Sequence, residues 1–355
     1  MKYAAILIFL ASILLAGCFG INFPGSENNS VVTNTTGNLS VTNASNSSNG
    51  IIIISQTNTS AELNQSEKPP EENGTIVIRP EENVTPGAHY SETPNDRFAV
   101  YFINVGDNIG QGDAIFVKRG DFDMLIDAGP TRNSNLVVDF LKRRGIDDID
   151  VLVSTHADEE HYGGMDAVLD NFPVEEFWWT GKSYDDAVYG SLVQKVTDNG
   201  ALIKIVKRGD DETFNSLNFH IMNPKEGSTF SDSDNNAIVT KITNGDFCIL
   251  LTSDITSSVS SDLVNTENVT CSLLQLPYHG LGKGNFNVDL FLLKVNPSYV
   301  FVSGGSYDPS QDGRGTRPPV FAKLNLRSIS YMENYNSGTI KIESDGVSYS
   351  VENVD

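Results

Sequence analysis

Between residues 154 and 164 the chain reads STHADEEHYGG: two histidines, an aspartate and two glutamates set between an apolar run and a glycine pair. His156, Asp158 and Glu160 alternate, so an extended loop can turn all three to one side, and His161 then opens the next helix. Imidazole nitrogen and carboxylate oxygen are the ligand types that hold divalent metals. Two such ions close together polarise a phosphoryl or carbonyl oxygen and activate a water. The bland alternative is an acidic surface turn.

The ends of four apolar runs favour the metal. DMLIDAG carries Asp127, DVLVSTH ends on His156, CILLTSD ends on Asp254 and LLQLPYH ends on His279. Each run is of the buried-strand type and is followed by a glycine or a turn. In layered α/β proteins, polar groups at strand ends meet at one edge of the sheet, where sites form. Asp254, arriving on another strand, is the natural bridging ligand, and His279 would close the shell of a second ion.

The elements that must position these residues alternate along the last 259 positions. Strands are expected over 98–105, 114–118, 123–126, 151–154, 176–179, 201–206, 218–222, 237–243, 247–252, 272–276, 299–302, 338–343 and 348–351. Helices are expected over 133–144, 163–171, 184–199, 256–264, 288–295 and 319–324. Many strands with amphipathic helices between them predict an α/β domain over 97–355, one or two sheets covered by helices.

This order of motifs resembles the metallo-β-lactamase superfamily, whose signature is His-X-His-X-Asp-His. It is most similar to the branch that forms the soluble domain of the DNA-uptake protein ComEC, which has Asp in place of the second His. The match is Thr155-His156-Ala-Asp158-Glu-Glu160-His161-Tyr-Gly163-Gly164. Upstream, Phe102-Ile-Asn-Val-Gly106, Gly110-Gln-Gly-Asp113-Ala and Asp127-Ala-Gly129 agree. Downstream, Asn236-Ala-Ile-Val, Leu250-Leu-Thr-Ser-Asp254 and Leu276-Pro-Tyr-His279-Gly280 agree. The resemblance implies a four-layered αββα sandwich with a hydrolase site at the sheet rim. It implies two divalent ions on His156, Asp158, Glu160, His161, Asp254 and His279, with Asp158, Glu160 and Asp254 serving catalysis. Asp127, Gly129 and Asp113 read as structural support, Asp127 by bracing the loop with hydrogen bonds.

Three imidazoles and three carboxylates make a hard donor set, which suits Mn²⁺ or Mg²⁺ with Zn²⁺ still admissible. Such a set suits phosphate esters, whose charge spreads over oxygens that two ions can clamp. The departures from the pattern are specific. Glu160 is one methylene longer than the usual Asp, which would shift or weaken the second ion. An insertion around Asp107–Gly110 interrupts the Val-Gly-Gln-Gly stretch, Tyr278 stands where a histidine is common, and no histidine lies between His161 and His220. His220, in LNFHIMNP, reads as a strand histidine, and Trp178 as core. Tyr278, Lys283 and Arg317 are candidate substrate contacts.

The first third of the chain is of another kind. Residues 1–18 read as a lipoprotein-type signal peptide, with Leu15-Ala16-Gly17-Cys18 as a lipobox and Cys18 as the lipidated residue. Residues 19–96 are rich in Asn, Ser and Thr and carry glycosylation sequons at Asn28, Asn34, Asn38, Asn43, Asn46, Asn58, Asn64, Asn73 and Asn83. They read as a disordered stalk holding the domain at the cell surface, on the outer face of the membrane. Cys248 and Cys271 remain, in the strand-like stretches FCILL and TCSLLQL; a disulfide is open to them, but two buried thiols are the expectation.

The formal charge is −22, and the first 96 residues hold three basic and nine acidic side chains, which leaves −16 on 97–355. A domain so acidic has no bulk electrostatic footprint for duplex nucleic acid. It remains compatible with an enzyme whose own metal ions supply local positive charge. The expectation is an exported, membrane-tethered metallohydrolase acting on a phosphodiester, single-stranded DNA or a nucleotide among them. The alternatives are a hydrolase of another ester or a lactam-like amide, and a surface module whose metal is structural.

Overall fold

The computed structural model describes residues 52–55, 75–78, 97–107, 110–184, 186–281, 287–305 and 317–354. The signal peptide with Cys18, the sequons, nearly all of the stalk and Lys283 lie outside the described residues, as does the side chain of Arg317. In a first unit, Met1–Pro80, β1 (Ile52–Ser55) pairs antiparallel with β2 (Thr75–Ile78).

The second unit, Glu81–Asp355, holds two sheets. The larger contains β3 (Phe98–Phe102), β4 (Ile115–Arg119), β5 (Phe122–Ile126), β6 (Ile149–Val153), β7 (Val174–Trp179) and β8 (Leu202–Ile205). It is completed by β16 (Ile340–Ser344) and β17 (Tyr349–Asn353), in the order β17-β16-β3-β4-β5-β6-β7-β8. The smaller contains β9 (Asp211–Phe214), β10 (Leu217–Asn223), β11 (Val239–Asn244), β12 (Phe247–Leu251), β13 (Leu273–Gln275), β14 (Tyr299–Val302) and β15 (Ser330–Glu333), neighbours in chain order. Each sheet is half antiparallel and half parallel: pairing turns parallel from β5 to β8 in one and from β12 to β15 in the other.

Side-chain alternation makes the layers. Phe98, Val100 and Phe102 of β3 share one core with Phe247, Ile249 and Leu251 of β12, so the inner faces of the two sheets pack together. Phe102 stacks on Phe301 with ring centroids 5.0 Å apart. Of Trp178-Trp179, which the sequence suggests as core, Trp178 belongs to this core and Trp179 is half-buried against the outer one. On the outer face of the larger sheet, Phe116, Leu125 and Leu152 pack against α1 (Ser134–Arg143), α3 (Met165–Asn171) and α4 (Ala187–Asp198). The four-residue α2 (Glu159–Tyr162) sits between α1 and α3 in the chain. On the outer face of the smaller sheet, Leu250, Leu274 and Val300 pack against α5 (Ser257–Thr266), α6 (Val288–Val295) and α7 (Arg317–Leu326). A last short helix, α8 (Asn334–Ser337), leads into β16. The result is the αββα sandwich that the sequence predicted. Two strands it did not predict, β9 and β15, are the edges of the smaller sheet; Asp-Glu-Thr-Phe lacks the buried alternation that marks a strand, because an edge has less to bury against.

The expectation of two free thiols is corrected: Cys248 and Cys271 form a disulfide. β12 and β13 run parallel with Ile249 opposite Leu273, and Cys271, just ahead of β13, comes diagonally beside Cys248 with Cα atoms 5.2 Å apart, within disulfide reach. Among the described residues, no helix is long and apolar enough to cross a membrane.

Candidate metal centre

The parallel halves of the two sheets end at one rim. From the larger sheet, β5 runs into Asp127 and β6 into His156; from the smaller, β12 runs into Asp254 and β13 into His279. Backbone hydrogen bonds tie these ends together: Ala128 N–H donates to His161 O at 2.8 Å, Gly129 N–H to Asp113 O at 2.7 Å and Tyr278 N–H to Ser253 O at 3.1 Å. The Gly163-Gly164 pair lets the start of α3 press on the end of β5. A Cβ on Gly164 would stand 2.1 Å from the Ala128 carbonyl oxygen. Asp127 and His279 take left-handed backbone, at φ 58 and 49. Asp adopts that region more readily than most residues, whereas His279 is held there by its surroundings.

His156, His161, Asp254 and His279 are all buried, at no more than 3% exposure. Their back sides are secured. Asp127 Oδ1 accepts from Thr155 N–H at 2.9 Å, and its Oδ2 accepts from Thr155 Oγ1 at 2.7 Å. The same Oδ2 lies 2.8 Å from His161 Nδ1. His279 Nδ1 lies 3.0 Å from the Ser303 carbonyl, and His156 Nδ1 lies 3.0 Å from Thr155 Oγ1. With each Nδ1 so engaged, Nε2 is the ring atom left to bind an ion. The expected bracing role of Asp127 is what its contacts show.

The front sides converge. Asp254 Oδ2 is 3.5 Å from His161 Nε2 and 3.4 Å from His279 Nε2, and the rings of His156 and His161 are 4.2 Å apart. Atoms about 2.1 Å from one tetrahedral ion stand about 3.4 Å from one another, so this spacing is that of ligands rather than of hydrogen-bonded pairs. His156 Nε2, His161 Nε2 and Asp254 Oδ1 are buried without a hydrogen-bond partner among the described residues. Buried polar atoms are ordinarily satisfied, and divalent cations at the rim would satisfy these. The donor set of His156, His161 and Asp254 therefore fits divalent metal, and His279 Nε2 reaches the same Asp254 carboxylate.

Electrostatics agree. Burial opposes charge on His279, yet Asp254 and Asp113 outweigh it and push its pKa up to about 10. Burial likewise opposes charge on His161, and Asp254 with Asp127 drives it well above the usual imidazole range. Burial would raise Asp254, but His279 and His161 hold its carboxyl well below the usual range. Burial and the neighbouring His161 keep His156 low. The rim therefore calls for positive charge, of the kind a divalent ion supplies.

The other site residues fall into place unevenly. Asp158 caps α2, its carboxylate accepting from Glu160 N–H at 3.4 Å, and it gathers with His156. Glu160 does not join the ligand groups: its Oε1 lies 3.2 Å from where a Cβ on Gly110 would sit, and Arg132 Nη2 lies 2.9 Å from the same point. Asp113 is buried behind the histidines, with Oδ1 3.5 Å from His279 Nδ1 and Oδ2 accepting from Gln275 Nε2 at 2.7 Å. Tyr278 is buried beside His279. His220 lies away in β10, paired across the strand with Asp211, as a strand histidine should. Asp234 was passed over in the sequence, although SDSDNN runs directly into Asn236-Ala-Ile-Val; it is buried, with Oδ1 4.0 Å from His156 Nε2.

Residues 107–180 match the model of the metallo-beta-lactamase superfamily. ComE operon protein 3 of Bacillus subtilis is 26% identical over 257 residues, covering 66% of this chain and 32% of that protein. Competence protein ComA of Neisseria gonorrhoeae is 25% identical over 199 residues, covering 55% of this chain and 26% of that protein. The chain thus spans about a third or less of the length of these relatives. Among solved structures, the metallo-beta-lactamase fold protein YhfI of Bacillus subtilis superposes with a TM-score of 0.49 at 13% identity, covering 70% of this chain and 100% of that one. Over residues 107–180 the chain is thus similar to the metallo-beta-lactamase superfamily, and over a longer stretch it is similar to the competence proteins ComE operon protein 3 and ComA.

Proposed function

We propose that the chain is a metal-dependent phosphodiesterase displayed outside the cell on a lipid-anchored stalk. The observation that carries the catalytic part is the convergence of three buried imidazoles on Asp254, with unsatisfied ligand atoms on His156, His161 and Asp254. Divalent ions, Mn²⁺ or Zn²⁺ with Mg²⁺ admissible, supply Lewis acidity and an activated water at such a rim. The chain's own part is positioning. Asp127 holds His161, and the Ser303 carbonyl holds His279, each with Nε2 forward. Asp254 contributes the negative charge that both imidazoles face. A carboxylate-rich set favours harder ions and oxyanion substrates. The competence proteins among the relatives support a nucleic-acid or nucleotide diester.

The export part rests on the lipobox at Cys18 and the Asn/Ser/Thr-rich stalk, and the Cys248–Cys271 disulfide is of a kind that persists in oxidising compartments. A second reading, a metal-binding surface module without turnover, draws on the placement of Glu160 toward Arg132 rather than among the ligands.

The deciding experiment compares the purified chain loaded with Mn²⁺ and with Zn²⁺ on a generic phosphodiester, a monoester and a lactam. Turnover of the diester, lost on chelation and restored by metal, is the expected result. Bound metal without turnover on any of the three selects the surface module, and failure to take up metal refutes both readings.

A further inference from the structure

The 230–238 loop carries a carboxylate that the reading above leaves unused. Asp234 is 5% exposed, and its carboxylate, that of Asp158 and a ring nitrogen of His156 lie within 4.8 Å of one another. The nearest approach is Asp234 Oδ1 to His156 Nε2, at 4.0 Å. That nitrogen is buried, has no hydrogen-bond partner among the described residues, and is the ring atom turned away from Thr155.

The loop is anchored on both sides of this contact. Ile238 N–H donates to Thr155 O at 2.9 Å, next to His156 itself. Thr256 Oγ1, two residues past Asp254, donates to Asn235 Oδ1 at 2.6 Å. Lys182 Nζ donates to Asn236 Oδ1 at 3.0 Å and to Ser228 O at 2.9 Å. Asn223 Nδ2 donates to Ala237 O at 2.7 Å and to Asn235 O at 3.2 Å. So many contacts on a turn of three residues fix Asp234 in place before any ion arrives.

We propose that Asp234 is a metal ligand, the third protein group of a cation position begun by His156 and Asp158. No histidine lies between His161 and His220 or between His220 and His279, so no further imidazole is available to this position. One imidazole and two carboxylates give the position a formal charge of about −2 when ionised, and such oxygen-rich sets discriminate less in favour of Zn²⁺ than imidazole sets do. Asp234 thereby sets which ion the centre takes. The inference rests on the metal-dependent reading and adds to it one residue and one preference.

The test uses the full chain, stripped of metal and titrated with Mn²⁺ and with Zn²⁺, with bound ions counted by mass spectrometry and affinities read by calorimetry. Asp234→Asn keeps the size of the side chain and removes its charge; it is expected to weaken Mn²⁺ binding at one position by about tenfold or more. Asp234→His is expected to restore occupancy and to move the Zn²⁺-to-Mn²⁺ affinity ratio by about tenfold toward zinc, a shift that a merely structural role for the loop would not produce. The melting temperature of each metal-free variant checks folding, and if the asparagine variant does not fold, the histidine variant alone carries the test. Wild-type and Asp234→Asn chains with matching ion counts and affinities overturn this inference and leave the metal-dependent reading standing, as does an unchanged ion preference in Asp234→His. A wild-type chain that binds no ion overturns both.

Discussion

Asp150 and Asp254 are almost equally sealed from water, at 2% and 3% exposure, yet the protein drives their carboxyl groups in opposite directions. Around Asp150, burial dominates: the pKa is pushed up to about 7, relieved by the Asp123 N–H and worsened by Asp148 and Glu175. Asp123 itself is pushed up to about 6 by burial, with Lys118 only partly offsetting it. Around Asp254, burial loses to His279 and His161. Both acids belong to apolar strand sequences, Asp150 at the start of β6 and Asp254 just past the end of β12. Burial does not make a site; a buried acid faces a functional centre when its neighbours can share a cation with it.

That comparison breaks first at Asp254. Asp254→Asn should lower metal-dependent diester turnover by about 10³-fold, since it removes charge at the point both imidazoles face. Initial rates at saturating Mn²⁺ check it, and a loss under tenfold would put the reacting group elsewhere. One step back, Asp127→Asn should weaken metal affinity by about 10–100-fold while the chain stays folded, because the amide holds His161 less firmly than the carboxylate. Calorimetric titration of the stripped chain measures it; unchanged affinity would mean that the 2.8 Å contact to His161 is incidental.

At the opposite end of β6 the prediction concerns stability. The unfolded chain releases the Asp150 proton near 3.8, whereas the folded chain keeps it until about 7. Stability should therefore fall as pH rises from 3.8 to about 7 and level off above that. Asp150→Asn removes this group's share of the dependence, leaving that of Asp123, and should raise the melting temperature at pH 8 by about 2–4 °C, with metal content unaltered. Parallel thermal melts at pH 4 and pH 8 decide it, and a variant less stable at pH 8 would show that the ionised carboxylate is wanted. The smallest effect is expected at Glu160. Glu160→Gln should leave metal affinity within about threefold of wild type, because its carboxylate faces Arg132 and Gly110. A larger loss in the same titration would return Glu160 to the ligand set.

Much of this was legible in the sequence because the residues that matter sit where periodicity stops. Asp127, His156, Asp254 and His279 each follow a run of apolar residues, and a strand that ends on a polar group announces itself. The helices after Asn133 and Asn287 were equally plain from amphipathic spacing, and the second is also capped, where Asn287 accepts from Leu290 N–H at 3.1 Å. What was hidden depends on pairing between distant segments. Cys248 and Cys271 are 23 residues apart, and only the parallel register of β12 and β13 brings them together. Asp234 sits in a polar run whose composition reads as loop, and nothing local says that the loop is pinned to Thr155 and Thr256. The placement of Glu160 was hidden for the same reason, since Arg132 and Gly110 come from other segments.

The disulfide has a geometric consequence at the far end of the strands it joins. β12 and β13 are parallel neighbours without a tight hairpin between them, and α5 lies in their connection. One strand leads to Asp254 and the other to His279. A slide of one residue between them moves their ends by about 3.3 Å. That is nearly the whole separation of 3.4 Å between His279 Nε2 and Asp254 Oδ2. The bond between Cys248 and Cys271 therefore works as a gauge block. It is a covalent stop at one end of two rails whose other ends carry the jaw, where the bond from Tyr278 N–H to Ser253 O at 3.1 Å holds the same spacing.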